Sequence, residues 1–212
     1  MTVELPQTLT ANPSLSTWLT VHHDGSWDLR VGKVELGQGI LTALTQIAAR
    51  ELGVDPAMVT VAHANTDDAP DEGITAGSMS IAVSGTSVRR VAAEVRHVFL
   101  RAASKRSGIP AARITVVDGR FLDLDGSTLT TYGDLADEVD LHVDAGDPTL
   151  PVEFADKTSG PDLARVDLPD KVFGRLRTTA GRAGSLPRRR VPVRALAPCG
   201  PAPDTAGKPR CH

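Results

Sequence analysis

Two glycines and the glutamine between them, Gly37, Gln38 and Gly39, are the first residues in the sequence whose types suggest ligand chemistry. The residues before them alternate like a strand and those after them recur at helical spacing, which predicts a strand-to-helix turn. The first N–H groups of such a helix lack intrahelical partners, and the helix dipole adds partial positive charge. Glycine lets a ligand approach the backbone, and a glutamine amide both donates and accepts hydrogen bonds. The turn suits a polar or anionic group, although a glycine-rich turn with an exposed glutamine needs no ligand.

A second group of small residues comes shortly before a predicted long helix. Its members are Thr75, Ala76, Gly77, Ser78 and Ser80, interrupted by Met79, and three of them carry hydroxyl groups. Backbone N–H groups and hydroxyls in such a turn can hold phosphate oxygens. The alternative is an ordinary turn whose serine and threonine side chains cap the following helix.

The remaining polar residues give no catalytic or metal motif. The acidic residues Asp67, Asp68, Asp71 and Glu72 lack the spacing of a calcium loop, and Pro70 interrupts them. We expect them to form a solvated loop. None of the six histidines has a partner at the i, i+4 spacing of a zinc site. No serine-nucleophile elbow, Walker A sequence or dinucleotide fingerprint is present, so the motifs predict no metal ligand and no catalytic residue.

The hydrophobic pattern predicts the elements that would position these turns. After an extended lead-in over residues 1–16, the predicted elements are strands 17–21 and 27–36, helix 39–52 with Gly53 as its C-cap, strand 59–62, helix 84–107, a hairpin over 114–122, and a short helix 132–138 capped by Thr131. This order predicts an α+β fold, with mixed α/β layers around a single core. Because aromatic residues make up only 3% of the chain, we expect a core of Val, Leu, Ile and Ala.

The charge is divided unevenly along the chain. Residues 175–212 contain eight Arg and one Lys against one acid, which leaves 14 basic and 25 acidic residues, a net charge of −11, in residues 1–174. The acidic part argues against a nucleic-acid or anionic-membrane partner. The Arg- and Pro-rich tail, which also holds both cysteines, predicts disorder. Without a signal sequence or a bilayer-length apolar run, we expect a soluble, cytoplasmic protein.

Three segments of the sequence together resemble one enzyme family. Residues 32–42, around Gly-Gln-Gly, resemble a cofactor segment of the molybdenum hydroxylases, the xanthine dehydrogenase and aldehyde oxidase family. Residues 66–80 resemble the second cofactor segment at a matching distance, and residues 167–174 resemble the start of the small hammerhead domain. The most similar branch is that of the molybdopterin-binding subunits of isoquinoline 1-oxidoreductase and nicotinate dehydrogenase type.

The resemblance implies a domain division and a set of cofactor contacts. Residues 1–145 would be part of a molybdopterin-binding domain, 146–161 a linker, 162–177 the start of a hammerhead-like domain, and 178–212 a basic tail that is disordered or out of frame. In the family the glutamine of Gly-Gln-Gly contacts the molybdenum centre, which implies that role for Gln38. The implied cofactor contacts are Gly37, Gln38, Gly39, Thr75, Ala76, Gly77, Ser78 and Ser80.

The resemblance also implies the reaction and the partners. The cofactor would be molybdopterin with molybdenum, in its cytosine dinucleotide form. The family hydroxylates N-heterocycles or aldehydes with water as the oxygen source. Electrons leave through a [2Fe-2S] subunit to a flavin or cytochrome subunit, which would be the partners of this chain.

The chain departs from the family in its length and its last residues. Family subunits are several times longer, and their glutamate base and other glycine-rich loop lie in later parts without a counterpart here. We therefore expect an N-terminal fragment that is inactive alone, whose tail has the composition of a GC-rich gene read out of frame. The alternative is a stand-alone cofactor-binding or assembly module without catalysis. A nucleic-acid binder is disfavoured because the tail has no stacking aromatic residues.

Overall fold

Two small sheets and two long helices make up the computed structural model, which describes residues 5–62, 67–146, 163–168 and 172–173. The predicted α+β class is confirmed. Each sheet has three strands, which lie side by side in the order in which they occur in the sequence. Nearly all of the predicted linker, half of the predicted hammerhead start and the basic tail lie outside the described residues.

The first sheet combines an antiparallel and a parallel pair. Strand β1 (Leu19–Val21) is antiparallel to β2 (Trp27–Leu29), and β2 is parallel to β3 (Val59–Val61). Parallel neighbours need a crossover connection, which here contains helix α3 (Ile40–Leu52). The prediction that the second strand continues to residue 36 is wrong. The chain leaves the sheet after Leu29 because residues 32–34 bond to residues 72–75 instead.

The predicted helix over residues 39–52 is confirmed as α3 to within one residue. It begins after Gly39 and ends at Gly53, and both glycines have the left-handed conformation, with φ of 79° and 70°. Its apolar face is buried against helix α4 (Thr86–Ser107), which ends at the left-handed Gly108. The two helices therefore form the layer that covers the first sheet and fix where the turn before α3 lies.

Helix α4 is preceded by a wide turn with π-type bonding, Ile81–Gly85, where the sequence predicts ordinary α-helix from residue 84. A wide turn of this kind shifts the bonding register and leaves main-chain carbonyls short of partners. The Thr86 hydroxyl lies within donating distance of Ala82 O, at 2.7 Å, and of Val83 O, at 2.9 Å, so it binds the carbonyls of this turn.

The second sheet begins with the predicted hairpin. Strands β4 (Thr115–Val117) and β5 (Arg120–Leu122) are joined by Asp118 and Gly119, whose φ values of 48° and 75° are those of a tight hairpin turn. Strand β6 (Thr128–Thr131) has no counterpart among the predicted elements. The predicted helix 132–138 is only a 3₁₀ turn, Gly133–Leu135, although Thr131 Oγ1 does cap it by accepting from Asp134 N at 3.1 Å.

Four aromatic rings join the two sheets and α4 at the centre of the core. Tyr132 lies 4.9 to 5.0 Å, centroid to centroid, from Trp27, Phe99 and Phe121, always edge to face. Its hydroxyl donates to Leu52 O at 2.7 Å, and burial raises the pKa of Tyr132 far above its usual value. The expectation of a purely aliphatic core is therefore wrong, because a few aromatic residues occupy its centre.

The N-terminal residues are helical where the sequence predicts an extended lead-in. They form α1 (Gln7–Ala11) and α2 (Leu15–Trp18), which bury Leu9, Leu15 and Trp18. Each helix is too short to show a hydrophobic period, which explains the error. Among the described residues, no helix combines the length and the apolarity that crossing a membrane requires.

Candidate functional site

The glutamine turn (Gly37, Gln38 and Gly39) connects the loop after β2 with the start of α3. A carboxylate of the chain itself occupies its backbone donors. Glu35 Oε1 accepts from Gly37 N at 2.7 Å and from Gly39 N at 2.9 Å, and Glu35 Oε2 lies 3.4 Å from Leu41 N. These N–H groups are therefore bound by Glu35 in this structure and are not free to bind an anionic ligand. The signal that could have shown this is the acidic residue just before the helix start.

The side chain of Gln38 is exposed and folds back on its own loop. Its Oε1 accepts from Leu36 N, and its Nε2 donates to Val34 O at 2.9 Å. A primary amide has a second N–H and a second lone pair, so both remain available for a ligand. At Gly37, whose φ is 106°, an added Cβ would meet no atom within 4 Å. The outer face of the turn is therefore open.

An arginine from far along the chain lies against the glutamine turn. Arg165 donates from Nη1 to Gly37 O at 2.9 Å, and its Nη2 lies 3.5 Å from Glu35 Oε1. Asp167 holds the guanidinium with two bonds of 2.9 and 2.7 Å, which raise the pKa of Arg165. Nearby, Val166 N donates to Thr42 Oγ1 at 3.0 Å. The sequence gives no sign of this contact, because it joins residues more than 120 positions apart.

The serine segment (residues 75–80) lies directly beside the loop that leads to the glutamine turn. Thr75 Oγ1 accepts from Val34 N at 3.0 Å. Ala76, Gly77 and Ser78 are exposed, whereas Ser80 is half-buried at the start of the wide turn. The two candidate segments, 40 residues apart in sequence, are thus neighbours in the structure.

The serine segment turns sharply at two consecutive residues in the left-handed region. Gly77 has φ of 65° and Ser78 has φ of 55°. The conformation is natural for glycine but costs a serine roughly 1 kcal/mol. Strain of this kind concentrates at ligand sites, so Ser78 marks the serine segment as a candidate ligand site.

Glu72 and Lys33 join the two segments below their exposed faces. Lys33 Nζ donates to Glu72 O at 2.7 Å and to Ile74 O at 3.3 Å. The Glu72 carboxylate accepts through Oε2 from Gly32 N at 2.8 Å and from Ser84 Oγ at 3.0 Å. The prediction of a solvated Glu72 is wrong, since the residue is only 7% exposed, and this burial raises the pKa of its carboxyl group. Asp67, Asp68 and Asp71 are exposed as predicted.

Several large apolar side chains around both segments are exposed to solvent. The most exposed are Ile74 at 84% and Leu36 at 71%. The whole set is Val34, Leu36, Ile74, Met79 and Ile81. Side chains of this kind mark a surface that a ligand or another polypeptide covers. In the described part of the chain, no group of three or more His, Cys, Asp or Glu side chains is placed to bind a metal ion.

A sequence model of a protein family matches residues 2–161, and its description is molybdopterin cofactor-binding domain. This match covers well over half of the chain, including the glutamine turn and the serine segment. The chain belongs to this family. The resemblance to the molybdenum hydroxylases is thereby confirmed at the level of the family.

Similarity to two individual proteins is consistent with this family assignment. The chain is 32% identical over 164 residues to a nicotinate dehydrogenase subunit of Pseudomonas putida, an alignment that covers 76% of this chain and 14% of that protein. It is 33% identical over 133 residues to the beta subunit of isoquinoline 1-oxidoreductase from Brevundimonas diminuta, covering 59% of this chain and 17% of the relative.

A solved structure also matches the fold. The crystal structure of a Cu,Mo-CO dehydrogenase aligns with a TM-score of 0.51 and 25% identity over 60% of this chain and 17% of that one. The chain thus spans less than a fifth of the length of the curated relatives and of this structure.

Proposed function

We propose that the glutamine turn and the serine segment are the contacts of this chain with its molybdopterin cofactor. The observation that carries the proposal is the hydrogen bond from Val34 N to Thr75 Oγ1 at 3.0 Å, which sets the two segments side by side. A ligand as long as a pterin dinucleotide can reach both.

The chemistry of the two segments fits the two ends of such a cofactor. Glu35 neutralises the positive start of α3, so the glutamine turn offers neutral contacts: the spare N–H and lone pair of Gln38 and the open backbone at Gly37. The serine segment offers exposed backbone and hydroxyl groups, which suit phosphate oxygens. We therefore assign the molybdenum end to Gln38 and the phosphates to Ala76, Gly77, Ser78 and Ser80.

The cofactor would supply two-electron chemistry and the transfer of an oxygen atom derived from water. The residues of this chain would bind and orient the cofactor, and Arg165 and Glu35 would hold the glutamine turn in shape. The proposal extends to the cytosine dinucleotide form of the cofactor, to N-heterocycles or aldehydes as substrates, and to a cytoplasmic enzyme. Two relatives are named as subunits, which supports partner chains, here proposed to be a [2Fe-2S] subunit and a flavin or cytochrome subunit.

The proposal includes no hydroxylation by this chain alone. A general base must lie within reach of the proton that it removes. The resemblance assigns that base to a part of the family sequence with no counterpart here. Turnover of an N-heterocycle or an aldehyde by the purified, cofactor-loaded chain would refute this part of the proposal. A chain that holds the cofactor without turnover would fit both a fragment and a stand-alone binding module.

Cofactor content tests the binding proposal directly. The chain is expressed in a host that makes molybdopterin, and the molybdenum and the oxidised pterin released per chain are measured. We expect both in the wild type and a clear loss in Gln38→Ala and in Ser78→Ala. The matched control is Gln7→Ala, because Gln7 is an exposed glutamine on α1. Equal cofactor contents in all four proteins, or none in the wild type, would refute the proposal.

A further inference from the structure

Glu72 makes polar contacts in two directions from a buried position. On one side its Oε2 accepts from Gly32 N at 2.8 Å, and its main-chain oxygen accepts from Lys33 Nζ at 2.7 Å. On the other side the same Oε2 accepts from Ser84 Oγ at 3.0 Å, in the wide turn before α4. The loop before the glutamine turn and the start of α4 are therefore joined through one side chain, at the residue that precedes the serine segment by three positions.

Two other buried carboxylates, those of Glu51 on α3 and Glu94 on α4, bind arginine side chains. Glu51 Oε1 binds Arg89 Nε at 2.7 Å, and Glu94 Oε1 binds Arg90 Nε at 2.6 Å, so both are compensated by a cation. Glu72 Oε2 accepts instead from a main-chain N–H and a hydroxyl, and the nearby cation, Lys33, donates to the main-chain oxygen of Glu72. Its other oxygen, Oε1, is buried with no hydrogen-bond partner in the described structure. Leaving such an oxygen unpaired is costly, so a carboxyl kept here needs a specific reason.

We infer that Glu72 is a positioning residue of the cofactor site, which fixes the glutamine turn and the serine segment relative to each other without touching the cofactor. The inference rests on the proposed function of those segments. We call the contacts of Glu72 Oε2 with Gly32 N and Ser84 Oγ the Glu72 bridge.

The packing around the bridge leaves little freedom for another arrangement. A Cβ at position 32 would lie 2.4 Å from Pro70 O, so the two segments of backbone are already in contact there. Val34 N bonds to Thr75 Oγ1 two residues further along. With Lys33 between them, residues 32, 33 and 34 each bind the segment that contains Glu72. Loss of the bridge should therefore loosen this whole contact and not one bond alone.

Backbone hydrogen exchange tests the bridge in the cofactor-free protein. Glu72→Ala removes the acceptor, and we expect the N–H groups of Gly32 and Val34 to exchange about tenfold faster. Glu72→Gln keeps an acceptor oxygen of the same shape and should restore slow exchange. Ser84→Ala removes one donor and should give a smaller increase of about threefold, which keeps the test valid if Glu72→Ala does not fold.

The matched control is Glu51→Ala, which removes a buried carboxylate on α3 that takes no part in the bridge. It should change exchange at Gly32 and Val34 no more than its effect on global unfolding requires. Unchanged exchange at both amides in Glu72→Ala, or equal increases in the control, would overturn the bridge.

Cofactor content then tests the positioning role. We expect about tenfold less bound molybdenum in Glu72→Ala, with wild-type content in Glu72→Gln and in the Glu51→Ala control. Slow exchange combined with lost molybdenum in Glu72→Gln would mean that the charge itself acts on the cofactor, which contradicts a positioning role. A wild-type chain without molybdenum refutes the proposed function and the positioning role together, whereas the exchange data decide on the bridge independently.

Discussion

Replacing Gly32 with alanine should push apart the two segments of the candidate site. The new Cβ would lie 2.4 Å from Pro70 O and 3.1 Å from the backbone nitrogen of Glu72. Since real Cβ atoms do not approach closer than 3.0 Å, the Pro70 carbonyl must move by about 0.6 Å. Gly32 is not in the left-handed region, so the effect is purely one of space.

The expected loss of stability follows from the close packing at this contact and from the hydrogen bond beside it. Overpacking of a tight contact costs about 1–3 kcal/mol, and the bond from Gly32 N to Glu72 Oε2, at 2.8 Å, cannot stay unchanged after such a shift. We expect the free energy of unfolding to fall by about 2 kcal/mol. For a domain of this size, that corresponds to a decrease of roughly 6 °C in Tm.

Urea and thermal unfolding followed by circular dichroism measure this loss. The matched control is Gly146→Ala, because an added Cβ at Gly146 meets nothing within 4 Å and its φ is not positive. The control should remain within about 0.5 kcal/mol of the wild type. If Gly32→Ala is as stable as the control, the close contact between the two segments does not exist as described.

Three further changes have defined outcomes. Burial raises the pKa of Glu72 above its usual value of 4.5, so its contribution to stability is full below that pH and is lost as the pH rises through the folded pKa. The unfolding free energy of the wild type relative to Glu72→Gln should therefore fall as the pH rises. A difference that stays constant with pH would contradict this. Tyr132→Phe should lower the unfolding free energy by about 1–2 kcal/mol in urea, because Leu52 O loses its 2.7 Å partner; a neutral effect would refute this. Arg165→Gln should leave the free energy of unfolding close to that of the wild type, since the ion pairs of Arg165 are partly exposed to solvent. Exchange of the Val166 N–H should nevertheless rise several-fold, and unchanged exchange would count against the contact with the turn.

The elements that the sequence predicts well are those with a long period and a clear end. Helix α3 has an apolar face over thirteen residues and a glycine at each end, and the hairpin of β4 and β5 has an Asp-Gly turn. Strand β2 is shorter than predicted because alternation shows only that a strand is possible, whereas the length of the sheet depends on its partners. Strand β3 offers β2 only three residues.

The sequence locates the candidate site but does not show its internal contacts. Residue types that suit a ligand, together with the resemblance to a family, indicate the glutamine turn and the serine segment. The residues around them, Glu35, Glu72 and Arg165, escape sequence reasoning for one physical reason. Glu35 binds across a turn, Glu72 binds a residue 40 positions away, and Arg165 binds a residue 128 positions away. A charged residue in a loop looks the same in sequence whether it is solvated or buried.

The wide turn Ile81–Gly85 sets the rotational phase between the serine segment and α4. Each residue of an α-helix advances the chain by about 100° around the axis. The extra residue of a π-type turn therefore rotates everything before it by about that angle relative to an uninterrupted helix. A deletion of one residue here would give a more regular helix, but Ser84 would turn away from Glu72, and the exposed turn at Gly77 and Ser78 would face another direction.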